Sequence, residues 1–285
     1  MIRSILFALA EDPYNSGAKN FAFWLSKKAG SHIHALSIID IAAFEVAVMG
    51  SPDGFMPQVM TPPVKESRQL MKELNESAAA GLDAFSAQCS ARGISISTEI
   101  KSGIPGELIG KSAAAHDILV VSRAGYDRFA SQSDLLDSNI GQIIRNSVRP
   151  VLVAGREFDE DGEVRSIAVA YDGSKHAAQS LLIAAELASR PGVNCRLVNI
   201  AVSQEEGEEA LAPAEAFLRN HGIVPIKQVV VHAKPSEVIC DLASGKDVDL
   251  LIMGAYGRRA IREVLFGSTT EKVLAHSSVN VLLQS

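Results

Sequence analysis

The chain contains itself twice, and that constrains its fold more than any single motif. Arg3-Ser4-Ile5 returns as Arg165-Ser166-Ile167. In the same ungapped register Ala8 meets Ala170, Ala22 meets Ala184, Leu25 meets Leu187, Gly30 meets Gly192 and Ile38 meets Ile200. Further on, Ile104-Pro105-Gly106-Glu107-Leu108-Ile109 faces Lys234-Pro235-Ser236-Glu237-Val238-Ile239. Asp117-Ile118-Leu119-Val120-Val121-Ser122 faces Asp249-Leu250-Leu251-Ile252-Met253-Gly254, and Arg149-Pro150-Val151-Leu152-Val153 faces Val279-Asn280-Val281-Leu282-Leu283. Correspondence spread so widely means a duplicated unit. The 285 residues suffice for two domains of ordinary size. The expected units are 1–155 and 163–285, joined by the charged linker Gly155-Arg156-Glu157-Phe158-Asp159-Glu160-Asp161-Gly162-Glu163.

Each unit reads β-α-β-α-β-α-β-α-β. In the second, apolar runs predict strands at about 166–171, 194–202, 226–232, 249–253 and 279–284. Amphipathic stretches predict helices at about 174–190, 205–221, 235–245 and 268–276. Apolar strands alternating with such helices argue for a parallel sheet covered on both faces, wound with right-handed crossovers. Ligands of these sheets sit beyond the strand C-termini, where strand order reverses. The first unit carries an insertion at about 41–65, rich in Gly and Pro yet holding Phe44, Val46, Phe55, Met56 and Met60. It reads as packed loop or as a lid.

One stretch carries chemistry. Asp249-Leu250-Leu251-Ile252-Met253-Gly254 is a buried strand ending on glycine. Gly257 follows, then nine residues, then Gly267-Ser268-Thr269 at the start of a helical pattern. Glycines at a strand end let a ligand approach the backbone and permit positive φ. A helix N-terminus offers free N–H groups to an anion. The pattern reads as a phosphate cradle, although a glycine-rich turn with an ordinary Ser/Thr cap has the same sequence. It is not a P-loop. The nearest approach, Pro105-Gly106-Glu107-Leu108-Ile109-Gly110-Lys111-Ser112, has proline where the first glycine belongs and lies in a helical pattern, so it reads as structure.

Composition narrows the rest. A net charge of −6 argues against general nucleic-acid or anionic-membrane binding. Cys89, Cys195 and Cys240 show no disulfide or zinc spacing, which favours a reducing, cytoplasmic setting. The apolar run at the N-terminus is short and meets Glu11-Asp12 at once, so it reads as a strand rather than a signal peptide. No stretch is long enough to span a bilayer. The seven histidines are scattered, and no catalytic triad or metal-ligand cluster is legible.

The residues resemble the universal stress protein family in its tandem two-domain form. Ile167-Ala168-Val169-Ala170-Tyr171-Asp172-Gly173-Ser174 is like the family's first strand and acidic turn. Met253-Gly254-x2-Gly257-x9-Gly267-Ser268-Thr269 is similar to the motif of its ATP-binding members. The resemblance implies two five-stranded parallel sheets of order 3-2-1-4-5, adenine nucleotide alpha hydrolase-like. It also implies antiparallel pairing of the fifth strands, with Val151–Val153 against Val281–Leu283. Its ligand contacts fall on Ala170 and Asp172 at the end of strand 1, Asp172 toward ribose or adenine, and on Ile200 at the end of strand 2 beside the adenine. Met253 would flank the base, Gly254 and Gly257 would bring backbone near ribose and phosphates, and Gly267, Ser268 and Thr269 would donate to the phosphates. Asp172 can also serve simply as the turn former of an Asp-Gly pair. Arg258 and Arg259 lie in the intervening loop as counter-charge or as solvated residues.

The halves differ where the motif matters. Ala10 stands at the position of Asp172, Ser122 at that of Gly254 and Asp137 at that of Gly267, while Gly125 matches Gly257. A carboxylate at a phosphate position repels phosphate. The expectation is therefore one site per chain, in the second unit. It would bind ATP, ADP or AMP, with Mg²⁺ riding on the phosphates, in a stress-response regulatory protein that acts on a protein partner and is a monomeric pseudo-dimer or a homodimer. The alternatives are a slow ATPase and a nucleotide-independent interaction module.

Overall fold

The computed structural model describes residues 2–10, 15–40, 64–123, 139–155, 158–245, 247–257 and 268–285, by backbone alone at 64–67 and 268. In the first half the order is β1 (Ser4–Ala8), α1 (Ser16–Ala29), β2 (His32–Asp40), α2 (Val64–Ala91), β3 (Ile96–Gly103), α3 (Pro105–Ser112), a 3-10 turn (Ala113–Ala115), β4 (Ile118–Ser122), α4 (Asn139–Asn146) and β5 (Val151–Ala154). In the second it is β6 (Ser166–Ala170), α5 (Lys175–Ala188), β7 (Asn194–Ala201), α6 (Gln204–Asn220), β8 (Ile226–Val231), α7 (Pro235–Ser244), β9 (Leu250–Gly254), α8 (Ser268–His276) and β10 (Asn280–Gln284). The boundaries of the second half lie within about two residues of those that periodicity predicts.

All strands join one ten-stranded sheet of order β3-β2-β1-β4-β5-β10-β9-β6-β7-β8. Each half is parallel, and both follow the order 3-2-1-4-5. The halves meet through antiparallel β5 and β10, with Val281 opposite Val153, Leu282 opposite Leu152 and Leu283 opposite Val151. These six side chains are fully buried, and burying each stabilises by roughly 1.5–3 kcal/mol. The pairing closes two strand edges that would otherwise invite another chain.

Two apolar layers sandwich the sheet, and each runs through both halves. Ile5, Phe7, Ile33, Ile167, Val169 and Leu197 lie under α1, α2, α5 and α6. Leu6, Ala8, Val121, Ala168, Ala170 and Met253 lie under α3, α4, α7 and α8. Alternate residues of each strand feed opposite layers, as the pleat requires. The glycines of the near-miss P-loop serve this packing. A Cβ on Gly106 would sit 2.4 Å from the Gln142 Cβ, and one on Gly110 2.5 Å from the Asn146 Cβ. They let α3 cross α4 closely.

The linker packs rather than dangles. Phe158 is buried against Phe21, with ring centroids 5.1 Å apart, and its carbonyl accepts from the Asn20 amide at 3.0 Å. Trp24 donates to Glu163 at 3.0 Å. The Arg123 guanidinium crosses the seam to the carbonyls of Ser277 and Val279. Of the insertion expected at 41–65, residues 41–63 lie outside the described residues, and Val64 opens α2.

Candidate functional site

At the C-terminal end of β6 the chain turns sharply into α5. Gly173 takes left-handed backbone, φ 76°. Asp172 Oδ1 accepts the Ser174 N–H at 2.9 Å, and Ser174 caps α5 by accepting from Ala177 N at 3.2 Å. These bonds fix the direction of the Asp172 carboxylate. Its other oxygen, Oδ2, lies 3.4 Å from where a Cβ on Gly257 would stand. Asp172 and Gly257, far apart in sequence, are therefore neighbours.

The remaining predicted residues sort by element. Ala170, Met253 and Ile200 belong to the layer under α7 and α8, Ile200 only partly buried. Ala170 is paired with Met253 across β6 and β9. Ile200 is the penultimate residue of β7, the neighbour of β6. Ser268 and Thr269 form the first turn of α8. That turn is fastened to the strand end, since the buried Thr270 hydroxyl donates to the Ala255 carbonyl at 3.0 Å and Ala255 N donates to Gln284 O at 2.8 Å. Gly267, Arg258 and Arg259 lie outside the described residues. So Ala170, Asp172, Met253, Gly254, Gly257 and the start of α8 share one end of the sheet, where β6 parts toward β7 on one side and β9 on the other.

The two glycines are required for reasons that their spacing does not show. Neither takes left-handed backbone. A Cβ on Gly254 would lie 3.0 Å from both Ala177 N and His176 Cβ, so this glycine seats the first turn of α5 on the strand. Gly257 is exposed and keeps the space beside Asp172 open. Three residues that sequence reasoning did not single out complete the surroundings: Thr270, Tyr256 and His176. The His176 ring meets the buried Tyr256 ring edge-on, at 5.3 Å. Its buried Nδ1 has no hydrogen-bond partner among the described residues. His232, which follows β8, is exposed and carries left-handed backbone, φ 55°.

Residues 163–284 match the model of the Universal stress protein family. A universal stress protein of Synechocystis, Slr1230, is 25% identical over 296 residues, which cover 99% of each chain. The second half of the chain is a universal stress protein domain. A universal stress protein of Thermus aquaticus aligns over 97% of its length with 42% of this chain, at 29% identity, so nearly an entire relative fits within less than half of the chain. Among solved structures, a universal stress protein from Archaeoglobus fulgidus superposes with a TM-score of 0.75 over 99% of this chain and 96% of its own, at 19% identity, which shares the fold.

The two halves of the chain differ at the strand-1 turn. In the first half Ala10 replaces the carboxylate, and the fully buried Asn15 side chain bonds both the N–H and the carbonyl of Ala10. In the second, Asn199 donates to the Tyr171 carbonyl at 2.7 Å and leaves Asp172 to the turn. Ser122, at the place of Gly254, is buried. Gly125 and Asp137 lie outside the described residues. No helix among the described residues is long and apolar enough to cross a membrane.

Proposed function

We propose that the second half binds one adenine nucleotide, ATP or the ADP and AMP derived from it, and that this occupancy is what a stress-response partner protein reads in the cytoplasm. The observation that carries this reading is the Asp172 carboxylate, held by the Ser174 N–H and set beside Gly257 at the strand ends. A ribose hydroxyl there meets a strong acceptor. Phosphates extend toward the first turn of α8, whose leading N–H groups have no intrahelical partner. Charge-assisted bonds of that kind contribute roughly 1.5–3 kcal/mol each. Met253 and Ile200 supply apolar flanks for the base.

The donor set suits a nucleotide better than a bare metal. Among the described residues no group of three His, Cys, Asp or Glu is arranged to hold an ion, so Mg²⁺ would enter with the phosphates. The first half, with Ala10 and Ser122 in the corresponding places, is left out of the reading. Calorimetric titration with ATP, ADP and AMP tests it. One site per chain is expected, lost in Asp172→Ala. Absence of binding at millimolar nucleotide, or two equivalent sites per chain, overturns it.

A further inference from the structure

The first half carries a polar cluster that nucleotide binding does not use. It lies toward the N-terminal ends of the strands, on the face that α3 covers. The outermost strand, β3, has no fully buried residue. On one face Ile96 and Ile100 pack into the core. On the other, Ser97, Glu99 and Lys101 stand in register beside His34, Leu36 and Ile38 of β2. That second face is held by hydrogen bonds.

The bonds form a chain. Ser95 Oγ lies 2.8 Å from His32 Nδ1, and Ser97 Oγ lies 2.8 Å from both His32 Nε2 and His34 Nδ1. His34 Nε2 is 3.3 Å from Glu99 Oε2. Lys101 pairs with Glu99 at 3.2 Å and donates to Ser112 Oγ at 3.0 Å, tying in the end of α3. The carboxylate fixes the direction for neutral rings, because it only accepts. His34 Nε2–H therefore donates to Glu99, Ser97 O–H donates to His34 Nδ1, His32 Nε2–H donates to Ser97, and Ser95 O–H donates to His32 Nδ1. A second tie reaches β1 and the approach to β4. The His116 ring stacks on His34 at 5.2 Å, and its Nδ1 is 2.6 Å from Ser4 Oγ.

We propose that this cluster is a proton-operated clasp on β3, closed while its imidazoles are neutral and opened when acid charges the stacked His34–His116 pair. A proton on His34 Nδ1 reverses the Ser97 bond and breaks the directed chain. A proton on each ring puts like charges face to face. Among the described residues the charges that act on His116 are His34 and His32 from β2, Lys101 from β3 and Asp117 beside it, while Glu99 faces His34 and the Arg149 guanidinium lies 3.4 Å from the Ala114 carbonyl. Asp117 favours protonation, but its Oδ2 already accepts the N–H groups of Arg3 and Ser4. Burial pushes the His116 imidazole below its ordinary 6.5, and His34 and His32 push it further. A proton held less tightly in the folded chain than in the unfolded one costs stability as the pH falls below that ordinary value. The strand released is an edge of the sheet, anchored in the apolar core through Ile96 and Ile100.

Proton NMR titration of the imidazoles in the full chain tests the clasp, together with hydrogen exchange of the amides of 96–103 at pH about 7.5 and 5.5, corrected for intrinsic rates. His116 is expected to protonate below the ordinary histidine range, and His34→Gln is expected to raise its midpoint. Protection of β3 is expected to fall several-fold more in acid than that of β9, with the difference reduced in His34→Gln and in His116→Asn. A His116 midpoint indifferent to His34→Gln, or β3 protection that tracks β9 at both pH values, overturns the proposal. Should His34→Gln fail to fold, the His116→Asn exchange comparison decides alone, and an undiminished acid response there also overturns it.

Discussion

Asp117 and Asp249 make the same pair of hydrogen bonds in the two halves of the chain. Asp117 Oδ2 accepts the backbone N–H groups of Arg3 and Ser4 at 2.7 and 3.0 Å, and Asp249 Oδ2 accepts those of Arg165 and Ser166, both at 2.8 Å. Each carboxylate precedes the fourth strand of its half and fixes the start of the first. Removing either leaves two N–H groups without an acceptor. Asp249→Ala is expected to cost about 1–3 kcal/mol, and Asp249→Asn less, since one amide oxygen can still accept both. Urea unfolding of the two variants measures the difference, and equal losses would show that charge rather than acceptance matters there.

The glycines of the motif separate folding from binding. Gly254→Ala forces a methyl to 3.0 Å from the backbone of the first turn of α5, and overpacking against fixed backbone costs about 1–3 kcal/mol. Gly257→Ala adds a methyl at ordinary contact distance, 3.4 Å from Asp172 Oδ2, on an exposed residue. It is expected to leave the thermal midpoint unchanged and to weaken nucleotide binding. Calorimetry and thermal unfolding on both variants check the separation.

Thr270 fastens the start of α8 to the strand end. Thr270→Val keeps the shape, deletes the bond to the Ala255 carbonyl and leaves that carbonyl buried without its donor. A stability loss of about 1–2 kcal/mol is expected, with weaker nucleotide binding as the helix start loosens. Thr270→Ser should restore most of both, measured by the same two methods.

Much of this architecture is legible in the residues, and the illegible part has a common physical cause. The duplication appears in matched apolar runs because a buried strand must be apolar along its length. The pairing of Val151–Val153 with Val281–Leu283 is what the resemblance to the family implies. The proximity of Asp172 and Gly257 follows from strand order. What the sequence conceals is the reason for individual residues. Gly254 looks like a ligand's doorway, yet its missing side chain accommodates α5. Gly106 and Gly110 look like a fragment of a P-loop, yet they admit α4. His176 and Tyr256 are unremarkable in sequence and meet only because α5 sits on β9. The histidine chain of β2 and β3 depends on register between strands joined by a long connection. Local pattern encodes elements, and pairing across elements supplies the contacts.

Trp24, the one tryptophan, reports the junction of the halves. It is buried on α1, donates to Glu163 of the linker at 3.0 Å and lies under the Arg190 guanidinium of the second half, 5.2 Å from its ring centroid. Continuous apolar layers through both halves favour a single cooperative transition, so tryptophan emission and far-ultraviolet circular dichroism should lose native signal at the same urea concentration. Acid should act on the junction before the helices unfold. Hydrogen bonds from Lys28 and from Trp24 hold the Glu163 carboxyl below its ordinary 4.5. A depressed carboxylate contributes stability above its unfolded value and loses that contribution as pH falls through the folded one. As the pH falls below the ordinary carboxyl value of 4.5 the Trp24 emission should therefore shift to the red before the helical signal declines. Glu163→Ala, which removes the acceptor, should be red-shifted already at neutral pH and show no separate acid shift. Emission that follows circular dichroism throughout the acid titration of the wild-type chain would mean that the Trp24–Glu163 bond does not open separately from the fold.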